Sequence, residues 1–209
     1  MRKIYYLILF CLCFIFLPNI VVSATVEIDE CRYVDQPSNQ SKISWYTVSN
    51  TSEDLYIYAF AVQTLGDEGS TGTIPEGWAA DTITINEGGL AEAYHNNNYF
   101  YLDFEEYLDF RGDAFFFSVV GDIEENAVVP NQTLGYFEGF WRFGDFIEPS
   151  PFVFFTEPMV YNPDEQPPIN YYNYPDGEGL TNLVPIPSAV WLLGSGLIGV
   201  VGIRRKFNK

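Results

Sequence analysis

From Leu55 to Val62 the chain offers no polar face. Leu55, Ile57, Ala59 and Ala61 alternate with Tyr56, Tyr58, Phe60 and Val62, so a β-strand here is apolar on both sides and belongs in the middle of a sheet. The strand predicted there runs from Leu55 to Thr64, and further strands are predicted near 43–49, 81–85, 99–104, 114–120, 134–143 and 152–156. In the stretch 134–143, Phe137, Trp141 and Phe143 fall on one face with Gly135 and Gly139, while Tyr136, Glu138 and Arg142 take the other. Gly and Asn interrupt the chain every ten to fifteen residues, and no segment keeps a helical period. The expected class is all-β: a single Ig-like β-sandwich of about seven strands over residues 25–157. Asn50 to Asp54 carries turn chemistry and predicts a hairpin between the first two strands.

Both ends differ from this middle. Met1-Arg2-Lys3, an apolar run from Ile4 to Leu17, and Val22-Ser23-Ala24 form the pattern of a secretory signal peptide over 1–24. Signal peptidase is expected to cut after Ala24. Residues 158–183, rich in Pro and Tyr, read as an extended spacer before a terminal segment, 184–209. From Ser188 to Ile203 that segment has no charge, which predicts a transmembrane helix. Its uncharged length reaches only about 24 Å against about 30 Å of hydrocarbon. Arg204, Arg205 and Lys206 stop it on the cytoplasmic side, and Trp191 lies near the opposite interface. Ala189, Gly194, Ser195, Gly196, Gly199 and Gly202 make the helix small-faced and easily unwound, suited either to self-association or to being gripped by another membrane protein.

Val184, Pro185, Ile186, Pro187 and Ser188, followed by this apolar stretch and the basic stop, resemble the PEP-CTERM protein-sorting signal in its VPLPA-type variant. Ile186 stands where the strict form has an acidic residue, and Ser188 where the variant often has Ala. The resemblance implies recognition by an exosortase, a membrane-embedded protease or transpeptidase of Gram-negative bacteria that make exopolysaccharide, with cleavage near the proline motif. It also implies passage through the inner membrane to the cell surface or extracellular matrix. Family members share the tail and differ in what precedes it.

All 28 acidic residues lie between Glu27 and Glu178, where Arg32, Lys42, Arg111 and Arg142 are the only cations, a net of -24 for that part. Such a charge opposes nucleic acid and anionic lipid. It allows neutral or cationic polysaccharide, divalent cations, or plain solubility. Once Cys11 and Cys13 leave with the signal, Cys31 is alone and the mature chain holds no internal disulfide. The single histidine, His95, reads as part of a loop.

Chemical motifs are sparse. No nucleophile elbow or zinc-binding His pattern occurs in the exported part. The cluster Asp103, Glu105, Glu106 and Asp109 could supply paired carboxylates to an extracellular hydrolase, and on a strand Asp103 and Glu105 would share a face. Asp67-Glu68-Gly69 and Asp176-Gly177-Glu178 offer loop carboxylates for calcium without EF-hand spacing, and no other cofactor is expected. Exposed members of the set Trp45, Trp78, Trp141 and Tyr136 could stack on sugar rings. The expected role is that of a non-enzymatic structural or adhesive ectodomain, with a carbohydrate-binding module as the first alternative and the hydrolase as the second.

Overall fold

The computed structural model of the protein describes residues 26–34, 41–64, 69–95, 98–107, 110–142, 149–161 and 172–184. The signal segment with Ala24, the sorting motif beyond Val184, the membrane helix and the basic stop lie outside them. Within the described residues the chain runs β1 (Val26–Val34), β2 (Ser41–Asn50), β3 (Ala59–Gln63), β4 (Ser70–Thr71), β5 (Trp78–Ile85), β6 (Leu90–His95), β7 (Asn98–Asp103) and β8 (Gly112–Val119). A single helical turn, α1 (Ile123–Asn126), precedes β9 (Gln132–Arg142), β10 (Pro151–Phe155), β11 (Tyr172–Asn173), β12 (Gly177–Leu180) and β13 (Asn182–Leu183).

The strands form three sheets. A front sheet has the order β13-β1-β2-β9-β4, a middle sheet β12-β10-β3-β8-β5, and a rear sheet β11-β7-β6. Pairing is antiparallel except for β1 with β13 and β7 with β11. The all-β expectation therefore holds, but the two layers and seven strands expected become three layers and thirteen strands among the described residues.

The runs that lack a polar face explain the third layer. Phe60 and Val62 of β3, with Phe115 and Phe117 of β8, meet Ile28, Tyr46 and Phe137 of the front sheet in one core. Ala59, Ala61 and Phe116, on the opposite face, meet Ala93, Phe100 and Leu102 of the rear sheet in a second core. The middle sheet is thus covered twice, so its strands read as unbroken apolar sequence although they are antiparallel. Aromatic rings fill the first core edge to face: Phe60 lies 4.9 Å from Phe137 at 89°, and Phe117 lies 5.2 Å from it at 65°.

Asn50 does not close a hairpin. β2 pairs with β1 and β9, whereas β3 pairs with β10 and β8, so the turn carries the chain from the front sheet to the middle one. Its chemistry is nonetheless that of a turn. Asn50 Oδ1 accepts from the Ser52 N–H and hydroxyl, and Nδ2 donates to the carbonyls of Leu55 (2.7 Å) and Val128 (2.9 Å). Asn50 is buried. Asn50→Ala should cost about 1–3 kcal/mol, read from the urea midpoint, because several buried groups lose their partner together.

The expected spacer over 158–183 does not hold for its second half. β12 pairs with β10, β11 with β7, and β13 with β1, which ties residues 172–183 into all three sheets. Gly177 and Gly179 do not mark a flexible linker. They sit opposite Phe154 and Phe152, and a Cβ at either position would come within 2.4 or 2.6 Å of the facing ring. Asn173 adds a clamp: its Nδ2 donates to the carbonyls of Tyr101 and Val160, and its Oδ1 accepts from the Val160 N–H. His95, expected in a loop, is the last residue of β6 and pairs with Asn98 across the β6–β7 hairpin.

A candidate binding cleft on the front sheet

Along β1, alternation sends Val26, Ile28, Glu30 and Arg32 inward and Asp29 and Cys31 outward. On β2, Trp45 stands across from Cys31 and Thr47 across from Asp29. On β9 the pairing slips: Tyr46 opposes Phe137 and Thr47 opposes Gly135, so Tyr136 is left over as a β-bulge. The backbone there has φ +74°, in the left-handed region where a tyrosine is strained. The bulge turns the Tyr136 side chain out to solvent, 78% exposed, and moves Gly135 to the outer face rather than the inner face that simple alternation predicts.

These residues enclose an open cleft of about 570 Å³ lined by Asp29, Cys31, Trp45, Thr47, Thr133, Gly135, Tyr136 and Val184. Val184 closes one end, held by its N–H on the Glu30 carbonyl at 2.8 Å. The walls are mostly apolar, and Asp29 is the one charged side chain among the lining residues. Two of the four aromatics expected to be available, Trp45 and Tyr136, therefore meet in one cleft. The other two do not take part: Trp78 and Trp141 are buried in the first core, and Trp78 Nε1 donates to the Asn126 carbonyl at 2.9 Å.

Beneath the cleft floor lies a buried polar knot. Glu30 is fully buried, and its two carboxylate oxygens accept from Arg32 Nε (2.7 Å) and Nη2 (2.8 Å). Ser44 Oγ donates to Oε1 at 2.7 Å and Thr181 Oγ1 to Oε2 at 2.9 Å. Arg32 Nη2 also reaches Ser150 Oγ at 2.8 Å. The Glu30–Arg32 pair thereby joins β1, β2, the residue between β12 and β13, and the segment entering β10. It is a structural joint, since none of these groups opens to the cleft.

The remaining candidates do not assemble. Asp103 ends β7, and its Oδ1 accepts from the Glu105 N–H at 2.9 Å, so Asp103 and Glu105 form a turn rather than sharing a strand face. Asp109, Asp67 and Glu68 lie outside the described residues. Asp176 Oδ2 accepts from the Thr156 N–H and holds the turn into β12. Among the described residues no group of three His, Cys, Asp or Glu is placed to hold a metal ion. Burial, then the neighbouring Glu30 charge, pushes the Cys31 thiol up, which keeps it protonated and a poor nucleophile at neutral pH. No helix among the described residues is long and apolar enough to cross a membrane.

Sequence patterning alone could not locate the cleft, because a bulge at a non-glycine residue leaves no mark in the alternation. The signal that was present is compositional: Trp45 and Tyr136 are large rings at positions whose neighbours, Thr47, Thr133 and Gly135, are small.

No protein-family model matches the chain, and no curated protein matches it. Among solved structures, it is similar to a GH20 exo-β-N-acetylglucosaminidase from Vibrio harveyi, with 12% identity and a TM-score of 0.32 over 78% of this chain and 18% of that one. It is also similar to an uncharacterized protein from Nocardia farcinica with an immunoglobulin-like fold, with 12% identity and a TM-score of 0.34 over 75% and 97% of the two chains. The third cohesin of ScaC from Acetivibrio cellulolyticus, in complex with the ScaB dockerin, follows with 11% identity and a TM-score of 0.26 over 76% and 99%. This chain thus spans less than a fifth of the glycosidase's length, and similarities at this level have no bearing on what the protein binds.

Proposed function

We propose that the protein is exported, passes through the inner membrane as an exosortase substrate, and acts without catalysis as an adhesive ectodomain at the surface or in the extracellular polysaccharide of a Gram-negative bacterium. Its sandwich, which we read as Ig-like in outline, holds saccharide in the cleft between Trp45 and Tyr136. The observation that carries the adhesive reading is Tyr136 itself. A tyrosine kept at φ +74° and 78% exposed gains nothing from core burial, and strain of this kind is retained where the side chain has a use.

Calorimetric titration with neutral and amino-sugar oligosaccharides tests the binding. Trp45→Ala and Tyr136→Ala should each weaken it about tenfold or more, as loss of an aromatic anchor does. Tyr136→Gly separates function from strain: the folded sandwich should gain about 1 kcal/mol in urea melts, while binding falls as it does in the alanine variant. A Tyr136→Gly variant that is no more stable and binds as before removes the reading. Export and sorting are tested by mass spectrometry of the mature protein from cells with and without a functional exosortase. An intact C-terminus at Lys209 in both would end that part of the proposal.

A further inference from the structure

The charge on the described surface is of one sign. Among the described side chains the cations are Arg32, Lys42 and Arg111, and all three are engaged inside the fold. Arg32 lies on Glu30, Lys42 is buried, and Arg111 Nη1 donates to the carbonyls of Phe104, Tyr107 and Phe110. Apart from the buried Glu30, most of the described carboxylates are exposed, as at Glu27, Glu53, Glu76 and Glu87. The described charges exposed around the cleft are thus acidic, and within it a ligand meets the Asp29 carboxylate beside two aromatic rings.

We infer that the cleft selects an amino sugar, a glucosamine-type residue with a free, protonated amine, over neutral sugars and over uronic acids. The inference rests on the saccharide reading above and adds its chemical class. The apolar face of a pyranose ring suits the Trp45 and Tyr136 rings, and an ammonium group on the ring suits both Asp29 and the negative π-faces. A uronate carboxylate would be repelled by Asp29 and by the surrounding surface. An acetylated amine keeps the ring contact and loses the charge, so it serves as the internal control.

The test is calorimetry on the full chain in neutral detergent at about pH 6, where the sugar amine is cationic and carboxylates are ionised. The probes are a fully deacetylated glucosamine hexamer, its N-acetylated counterpart, a glucose hexamer and an oligolysine peptide. The deacetylated hexamer should bind about fivefold more tightly than either uncharged hexamer, and the difference should shrink in high salt. Asp29→Asn should abolish that advantage, bringing the deacetylated hexamer to the affinity of the N-acetylated one, with an unaltered melting temperature as the check on folding. Equal affinity for all three hexamers overturns the amino-sugar inference while the aromatic cleft stands. Binding of oligolysine as tightly as of the deacetylated hexamer also overturns it, in favour of a cationic-peptide site. No binding of any saccharide overturns both readings.

Discussion

Replacing Glu30 by alanine is expected to destabilise the sandwich by about 3–5 kcal/mol, the cost of breaking a buried ion pair from one side. Arg32 would keep its charge where only Ser150 remains as a neutral partner among those described above, and the hydroxyls of Ser44 and Thr181 would lose their common acceptor. Domains of this size have a total stability of about 5–15 kcal/mol, so the variant should be unfolded in a sizeable fraction or melt far below the parent. Denaturant titration followed by tryptophan emission measures this. A double variant with Met at positions 30 and 32 should recover most of the loss, because two apolar side chains ask for no partners. If Glu30→Ala melts within about 0.5 kcal/mol of the parent, the knot does not hold the front sheet to the last strands.

Phe117→Ala should cost a similar amount, about 3–5 kcal/mol, for a different reason. Phe117 is fully buried in β8, and its ring meets Phe60 at 4.8 Å, Phe137 at 5.2 Å and Tyr46 at 6.1 Å. Its removal takes a large side chain from the centre of the front core and leaves a void bordered by rings that cannot all turn to fill it. Phe117→Leu should cost markedly less, since most of the volume is kept. The two expectations are separable: salt should leave the Phe117 loss unchanged, and an apolar residue at position 32 should relieve the Glu30→Ala loss but not the Phe117→Ala one.

How far the fold can be read in the sequence depends on which physical term dominates each segment. β2, β3, β5, β7, β8, β9 and β10 all overlap predicted strands, because burial of their side chains leaves a pattern of apolar residues. β1 escaped prediction because the alternation that begins with Val26 and Ile28 continues inward with Glu30 and Arg32, and a buried ion pair resembles a solvated face in sequence. β6 escaped because its inward residues, Ala91 and Ala93, are small. The partner of each strand was not legible at all. Asn50 and Ser52 specify that the chain turns, but which sheet it turns into is settled by which face can cover Phe60 and Val62. The last strands were hidden for a related reason: the glycines of β12 make room for Phe152 and Phe154 from the neighbouring strand, a relation between distant residues that local composition presents as a linker. In the cleft, the ring identities were legible and their convergence was not.

The link between Thr181 and Glu30 spans 151 positions of chain and so imposes an order of events. Until residue 181 is free to fold, β1 has one open edge and Glu30 and Arg32 lack their full set of partners, so the N-terminal strand, made first, is finished last. In a chain threaded outward from its N-terminus, everything ahead of the tail must wait half-assembled. On the export proposed above, a hydrophobic stop at the rear that paused the polypeptide with residues 172–184 already outside would give the final strands time to seat while the nascent edge is still held away from other copies.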